Sequence, residues 1–143
     1  MAGSCRCGRV RIEITAPPLF TSACHCRGCQ KMSASAYSLS AAIPSEGFRV
    51  TQGEPVIGGL HGPAIRHHFC PHCMSWLFTR IEGMDFFVNL RATMLDDTGW
   101  YTPFIETCTA ERLPWATTPA RHSYARVPPE AAFPRLLAEY AEA

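Results

Sequence analysis

Cysteine content and spacing constrain this chain more than any other feature of its sequence. Eight of its 143 residues are cysteine, and seven of the eight fall into groups. The groups and the remaining residue are Cys5 and Cys7; Cys24, Cys26 and Cys29; Cys70 and Cys73; and, alone, Cys108. C-x-C and C-x-x-C spacings are typical of metal sites, because such turns bring two thiolates onto one tetrahedral ion. The groups therefore predict bound metal.

The start of the chain predicts a reducing compartment, in which these cysteines would remain thiols. "MAGSCRCGRVRIEI" lacks the apolar core of a signal peptide, and no apolar run reaches the length of a membrane span. We therefore expect a cytoplasmic protein with no membrane partner, whose cysteines are metal ligands or catalytic groups rather than disulfides. The net charge of +1 argues against a general nucleic-acid binder.

Alternation of apolar and charged residues predicts a mainly β fold. Val10, Ile12 and Ile14 share one face of a half-buried strand. Short apolar runs follow at 36–43, 48–52 and 64–69, and 76–80 pairs with 85–90 in a hairpin that turns at Glu82 and Gly83. Only the tail from Pro134 looks helical, with Leu136, Leu137 and Tyr140 on one face.

The two cysteine pairs suggest one closed, four-thiolate zinc site. Spacing alone also allows either pair to join members of the triplet. Joining the pairs to each other leaves the triplet intact, and both pairs flank clear strands. Zinc binding can supply roughly 10 kcal/mol or more, which exceeds the entropy cost of closing a long loop. The predicted ligands are Cys5, Cys7, Cys70 and Cys73.

Met74, directly after the second pair, fits this site less well. Many C-x-x-C zinc turns are followed by glycine, which adopts positive φ, whereas methionine would lose roughly 1–2 kcal/mol there. Either the turn differs, or the metal sustains the strain.

The triplet of Cys24, Cys26 and Cys29 has three ligands where zinc usually takes four. A three-ligand zinc leaves a position for water or substrate, as catalytic zinc sites do. Two alternatives remain open: a second structural zinc completed by a histidine, and an oxidisable thiol cluster. The histidines near the cysteine groups are His25, His67, His68 and His72.

Several motifs together resemble the glutathione-dependent formaldehyde-activating enzyme family, which includes centromere protein V. They are "GSCRCGRVRIEI", "CHCRGCQKMSASAYS", "GFRVTQGEP", "HHFCPHCMSWLF", "VNLRATMLDD" and the later "LPWA". The family normally has glycine where Met74 stands, and the tail from about Arg121 has no recognised counterpart. We therefore expect a family-type zinc domain at 1–120, with 121–143 as an extension of the same single domain that carries a short helix.

The resemblance implies a fold and an activity. The fold is a β-tent of several small coiled antiparallel sheets around a structural zinc, shared with methionine sulfoxide reductase B. The resemblance assigns the structural zinc to the two pairs and a second, catalytic zinc, which meets glutathione, to the triplet. The family's reaction joins glutathione to formaldehyde as S-hydroxymethylglutathione and is classed as a carbon–sulfur lyase.

Arg27 and Lys31 lie in the triplet motif and are candidates for binding glutathione. Their cations could offset the negative charge of several thiolates and pair with glutathione's carboxylates. The alternative is that both are solvated surface charges.

The sequence thus favours a zinc-dependent enzyme that acts on a small thiol and an aldehyde. One alternative is a non-catalytic zinc module that binds a protein or a small thiol. A second is a methionine sulfoxide reductase-like enzyme that uses Cys108, which is weaker because that chemistry needs a resolving thiol. A homo-oligomer is a further candidate, with the C-terminal helix either covering a surface of its own chain or forming the interface.

Overall fold

Short strands make up most of the regular structure in the computed structural model, which describes residues 1–143. There are eleven: β1 Ala2–Ser4, β2 Arg11–Ile14, β3 Phe20–Cys24, β4 Ser38–Pro44, β5 Phe48–Gln52, β6 Val56–Gly58, β7 Ile65–Phe69, β8 Trp76–Ile81, β9 Phe87–Arg91, β10 Ile105–Thr107 and β11 His122–Ser123. The two α-helices are α1 Arg27–Ser33 and α2 Phe133–Glu142. The predicted mainly β class with a short C-terminal helix is confirmed. No helix combines the length and apolar character needed to cross a bilayer.

Contacts along the chain divide it into two units. The first unit comprises Met1–Pro18 and Ala42–Trp100, and the second comprises Leu19–Ala41 and Tyr101–Ala143. The two cysteine pairs belong to the first unit, whereas the triplet and Cys108 belong to the second.

The first unit contains a three-stranded sheet and an antiparallel series of strands. β2 lies between β1 and β5 and pairs antiparallel with each. Val10, Ile12 and Ile14 are buried, as their alternation predicted. The strands β6 to β9 pair in chain order, and β8 and β9 form the predicted hairpin around Gly83, whose φ is +83°. In this unit, residues 5–7 follow the end of β1, and residues 70–73 lie between β7 and β8.

The second unit is built on parallel pairing. β3 and β11 both pair parallel with β10, so that Cys24 lies opposite Thr107. The helix α2 begins with Pro134 in its first turn, as predicted, and its Leu136 is fully buried against Phe104 and Ile105. This packing gives the second unit an apolar core.

The expectation that only the tail is helical was wrong, because α1 lies within the triplet motif. This helix has no stripe of apolar residues, since only Gln30 among its seven residues is buried. The segment therefore lacks the apolar periodicity from which a helix is predicted.

Candidate metal centres

The two cysteine pairs form one cluster. The sulfurs of Cys5, Cys7, Cys70 and Cys73 all lie within 4.8 Å of one another. Cys5 Sγ and Cys7 Sγ are 3.5 Å apart, and Cys7 Sγ and Cys70 Sγ are 3.8 Å apart. Four sulfurs at the zinc–sulfur distance of about 2.3 Å in a tetrahedron are themselves about 3.8 Å apart. The structure therefore brings together the four predicted residues at distances that fit a metal ion.

Backbone amides donate hydrogen bonds to two of these sulfurs. The Val10 N–H donates to Cys5 Sγ at 3.3 Å, and the His72 and Cys73 N–H groups each donate to Cys70 Sγ at 3.4 Å. Burial would raise the pKa of Cys5, but the Val10 amide and the Cys7 and Cys70 thiols lower it. Amide donors around thiols favour the thiolate form, which is the form that binds metal.

The Cys73 thiol also lies beside a hydrogen-bonding group that lowers its pKa. Its sulfur lies 3.2 Å from the Ser75 hydroxyl. Burial acts to raise the pKa of Cys73, but hydrogen bonds from Ser75 lower it to about 5.

Met74 adopts the left-handed backbone conformation, which is unfavourable for any residue but glycine. Its φ is +58°, and its N–H donates to the Cys70 carbonyl oxygen at 2.9 Å. The turn is thus the one that usually carries glycine, and it is built with a methionine whose side chain is largely exposed.

The triplet forms a second cluster at the junction of β3 and α1. The sulfurs of Cys24, Cys26 and Cys29 lie within 4.8 Å of one another, and all three residues are partly exposed. Cys24 ends β3, and Cys26 is the N-cap of α1, where its sulfur accepts a hydrogen bond from the Cys29 N–H at 3.3 Å. One strand end and one helical turn therefore place all three thiols.

Interactions within the triplet shift the pKa values of its three thiols in opposite directions. The Cys29 thiol lowers the pKa of Cys24 to about 5, against the effect of burial. Burial raises the pKa of Cys26, and the Cys24 sulfur raises that of Cys29. Of the three thiols, only Cys24 therefore has a lowered pKa. A bound dication would favour ionisation of the other two thiols, so the donor set suits a metal that prefers thiolates.

Gln30 fixes the helix that carries Cys26 and Cys29. Its Nε2 donates to the His25 carbonyl oxygen at 2.7 Å and to the Glu111 carbonyl oxygen at 2.9 Å. The Arg27 N–H also donates to Glu111 Oε1, at 3.2 Å. No sequence signal identified Gln30, because its partners lie far away in the chain or on the backbone.

His25 takes part in a buried polar network instead of completing the triplet. Its Nε2 lies 2.8 Å from Glu106 Oε1, and the Ser123 hydroxyl donates to Glu106 Oε2 at 2.6 Å. His25 is fully buried, and its ring meets that of Tyr37 edge to face. Neither cysteine cluster includes a histidine within 4.8 Å of its sulfurs.

Arg27 and Lys31 are both exposed on α1. The Arg27 Nη1 donates to Gln30 Oε1 at 2.8 Å, which holds this side chain along the helix. Their contact with glutathione stays a prediction.

Cys108 stands beside the triplet and has a left-handed backbone, with φ +57°. Burial and the neighbouring Cys24 sulfur raise its pKa to about 12.

Comparisons with known proteins found a matching family model and several relatives. A family model described as glutathione-dependent formaldehyde-activating enzyme matches residues 1–111. Relatives named "Putative glutathione-dependent formaldehyde-activating enzyme" include one from Penicillium rubens, 30% identical over 108 residues, and one from Talaromyces marneffei, also 30% identical over 108 residues. Each alignment covers 69% of this chain and 55% or 56% of the relative. The chain thus spans about half the length of the curated relatives it matches.

A solved structure shows a similar fold. It is the crystal structure of a Rhodobacter sphaeroides protein, with a TM-score of 0.58 and 20% sequence identity. The match covers 68% of this chain and 90% of that one. With the family model matching most of the sequence, this chain belongs to the glutathione-dependent formaldehyde-activating enzyme family.

Proposed function

We propose that this chain is a zinc-dependent enzyme of the carbon–sulfur lyase type. It would join a thiol such as glutathione to formaldehyde or a similar small aldehyde. The observation that carries this proposal is the triplet: three partly exposed thiols within 4.8 Å, one ligand short of the four that zinc usually takes.

The two clusters would have different roles. Cys5, Cys7, Cys70 and Cys73 supply four thiolates and would hold a closed, structural zinc. Cys24, Cys26 and Cys29 would hold the second ion next to the substrate. When bound there, zinc would supply the positive charge that keeps a substrate thiol ionised near neutral pH.

The remaining roles belong to the chain itself. Gln30 fixes the start of α1, so that the three sulfurs keep their positions when substrate arrives. The exposed cations of Arg27 and Lys31 are available for the two carboxylates of glutathione. We place the activity in the cytoplasm, where thiols of this kind stay reduced.

Zinc content tests the assignment of the triplet. Cys26→Ser should lower bound zinc from about two to about one per chain, because it removes one of three ligands at one site only. Far-ultraviolet circular dichroism should remain unchanged. A variant that keeps both ions and its full affinity for glutathione would rule out the triplet as the site.

Turnover tests the activity. Formaldehyde and thiols react unaided, so the rate must be measured against the same mixture without protein and against Cys26→Ser. We expect wild-type protein to exceed both backgrounds, and Cys26→Ser to match the uncatalysed rate. A wild-type rate no faster than the uncatalysed one would favour the alternative function.

That alternative is a non-catalytic zinc module that binds a protein or a small thiol. The nearness of Cys108 to Cys24 favours it, since a fourth thiol could close the site. The sulfoxide reductase alternative is disfavoured, because that chemistry needs a resolving thiol and the other cysteines lie in the two clusters. Unchanged reduction of a methionine sulfoxide by Cys108→Ser would remove it.

A further inference from the structure

Cys108 directly follows β10, which ends opposite the first cysteine of the triplet. Thr107 lies opposite Cys24 in the parallel pair of β10 and β3. Beyond that pair, the His25 N–H donates to the Thr107 carbonyl oxygen at 3.0 Å. Because parallel strands run in the same direction, the residue after Thr107 leaves the sheet at the end where Cys26 begins α1.

A fixed turn then orients Cys108. Successive side chains of a strand point to opposite faces, so an extended Cys108 would face away from Thr107. Instead, its backbone is left-handed, with φ +57° and ψ +39°. Two hydrogen bonds hold the turn: the Cys108 N–H donates to the Arg126 carbonyl oxygen at 2.9 Å, and the Glu111 N–H donates to the Cys108 carbonyl oxygen at 3.0 Å. In this position the Cys108 side chain neighbours the Cys24 sulfur.

His25 is not a member of the triplet cluster, although its Nδ1 is buried without a hydrogen-bond partner. The Nε2 of His25 faces Glu106, and no histidine or carboxylate joins the triplet within 4.8 Å. A tetrahedral ion held by three thiolates has one position left. Cys108 follows directly after the residue paired with Cys24, so its thiol is the candidate for that position, although its sulfur lies outside the 4.8 Å group and would have to move closer to bind.

We propose that Cys108 is the fourth ligand of the metal ion held by Cys24, Cys26 and Cys29 when no external thiol is bound. The site would then be a four-thiolate centre at rest, with one ligand contributed from a different strand. This inference rests on the metal site of the proposed function, but it is tested by metal binding and not by turnover. The ligand assignment can therefore fail while the proposed function stands, and the reverse.

Cobalt(II) titration of the 143-residue chain tests this inference, since sulfur-to-cobalt charge-transfer absorption grows with the number of bound thiolates. Wild type, Cys108→Ser and Cys108→Gly are titrated side by side in a buffer whose reductant contains no thiol. We expect both variants to bind the second ion at least tenfold more weakly and to show lower charge-transfer absorption, because even outer-shell partners are worth about 10–100-fold in affinity. Added 2-mercaptoethanol should restore the absorption by filling the vacated position.

Two features of the design separate ligation from folding. Glycine adopts positive φ without strain, so Cys108→Gly removes the thiol while favouring the native turn. Thr109→Ala changes the next residue of the same turn, removes its 3.2 Å hydrogen bond to the Tyr124 carbonyl oxygen, and should keep the wild-type spectrum.

Two results would overturn the inference. One is wild-type affinity and absorption for the second ion in both Cys108 variants. The other is a loss that no small thiol restores, since that would mean that the turn matters and the sulfur does not. If wild-type protein fails to accelerate the reaction of glutathione with formaldehyde while the variants lose the second ion, the proposed function fails and this inference stands.

Discussion

At the scale of one residue, Met74 shows that the cluster of Cys5, Cys7, Cys70 and Cys73 uses a left-handed turn even where the residue in it is not glycine. Met74→Gly should raise the free energy of unfolding by about 1 kcal/mol, because it removes left-handed strain at φ +58° and gives up little buried surface. Chemical denaturation of the zinc-loaded chain measures the change.

The control is a change in the opposite direction at a comparable turn. Gly83 has φ +83° and nothing within 4 Å of where a Cβ would lie, so Gly83→Ala introduces strain without overlap. It should destabilise the chain by roughly 1 kcal/mol. Equal shifts of the same sign in both variants would contradict the strain account.

The buried network of His25, Glu106 and Ser123 makes stability depend on pH. Burial acts to raise the pKa of Glu106, but hydrogen bonds from Ser123 and His25 lower it below the usual 4.5. A lowered folded-state pKa contributes stability above the unfolded-state pKa, and that contribution disappears as pH falls through the folded-state pKa. Glu106→Gln should therefore cost about 2 kcal/mol at neutral pH, and the difference from wild type should shrink below pH 4.5.

Glu139 provides the matched control for this pH series. It pairs with His122 at 3.0 Å, but both side chains are partly exposed to solvent. Glu139→Gln should change the free energy of unfolding by less than about 1 kcal/mol. A Glu106→Gln difference that stays constant from pH 7 to pH 3 would mean that the carboxylate charge is not what stabilises the network.

At the scale of elements, α1 depends on one buried amide. Gln30→Ala removes the donor to the His25 and Glu111 carbonyl oxygens and should cost about 1–3 kcal/mol. Because α1 carries Cys29, the second zinc should also bind more weakly, as competition with a chelator would show. Ser35→Ala, an exposed position just after the same helix, should leave both stability and zinc affinity unchanged. A similar loss of zinc in both variants would contradict the role of Gln30.

Which elements the sequence revealed depended on which residues are buried. In β2 the buried residues are Val10, Ile12 and Ile14, so alternation was visible. In β3 the buried residues between the partly exposed ones are Thr21 and Ala23, which carry little hydrophobic signal. In α1 a cysteine serves as the N-cap in place of the usual serine, threonine or aspartate.

The same reasoning explains what could be predicted of the clusters. Members of each cysteine group are close in sequence, so spacing indicated that they would meet. Gln30, Glu106 and Cys108 act through partners some 80 residues away, such as His25 with Glu106. Only the fold brings such residues together, and the sequence carried no local pattern for them.

At the scale of the whole molecule, the first cluster joins distant parts of the chain. Cys7 and Cys70 are 63 residues apart in sequence and 3.8 Å apart at their sulfurs. Cys70→Ser should remove one zinc and cost several kcal/mol, a large share of the about 5–15 kcal/mol that stabilises a typical domain. Zinc content and thermal unfolding measure this loss.

Cys26→Ser is the natural comparison for Cys70→Ser. It also removes one zinc, but Cys24, Cys26 and Cys29 close only a short segment, and the proposed Cys108 ligand would be the one link from that ion to a distant part of the chain. Its melting temperature should fall much less than that of Cys70→Ser. Equal losses would mean that the two clusters contribute alike to the stability of the fold.

The parallel pair of β3 and β10 has a consequence for the order in which the molecule forms. Thr21 and Phe104, which share a hydrogen bond at the start of this pair, are 83 residues apart. Contacts of such separation form late in folding, whereas one helical turn forms in under a microsecond once nucleated. The three thiols from Cys24 to Cys29 are therefore close together in the chain before folding, whereas Cys108 reaches them only when β10 pairs with β3. A nascent chain can capture an ion with three thiols well before the fourth arrives.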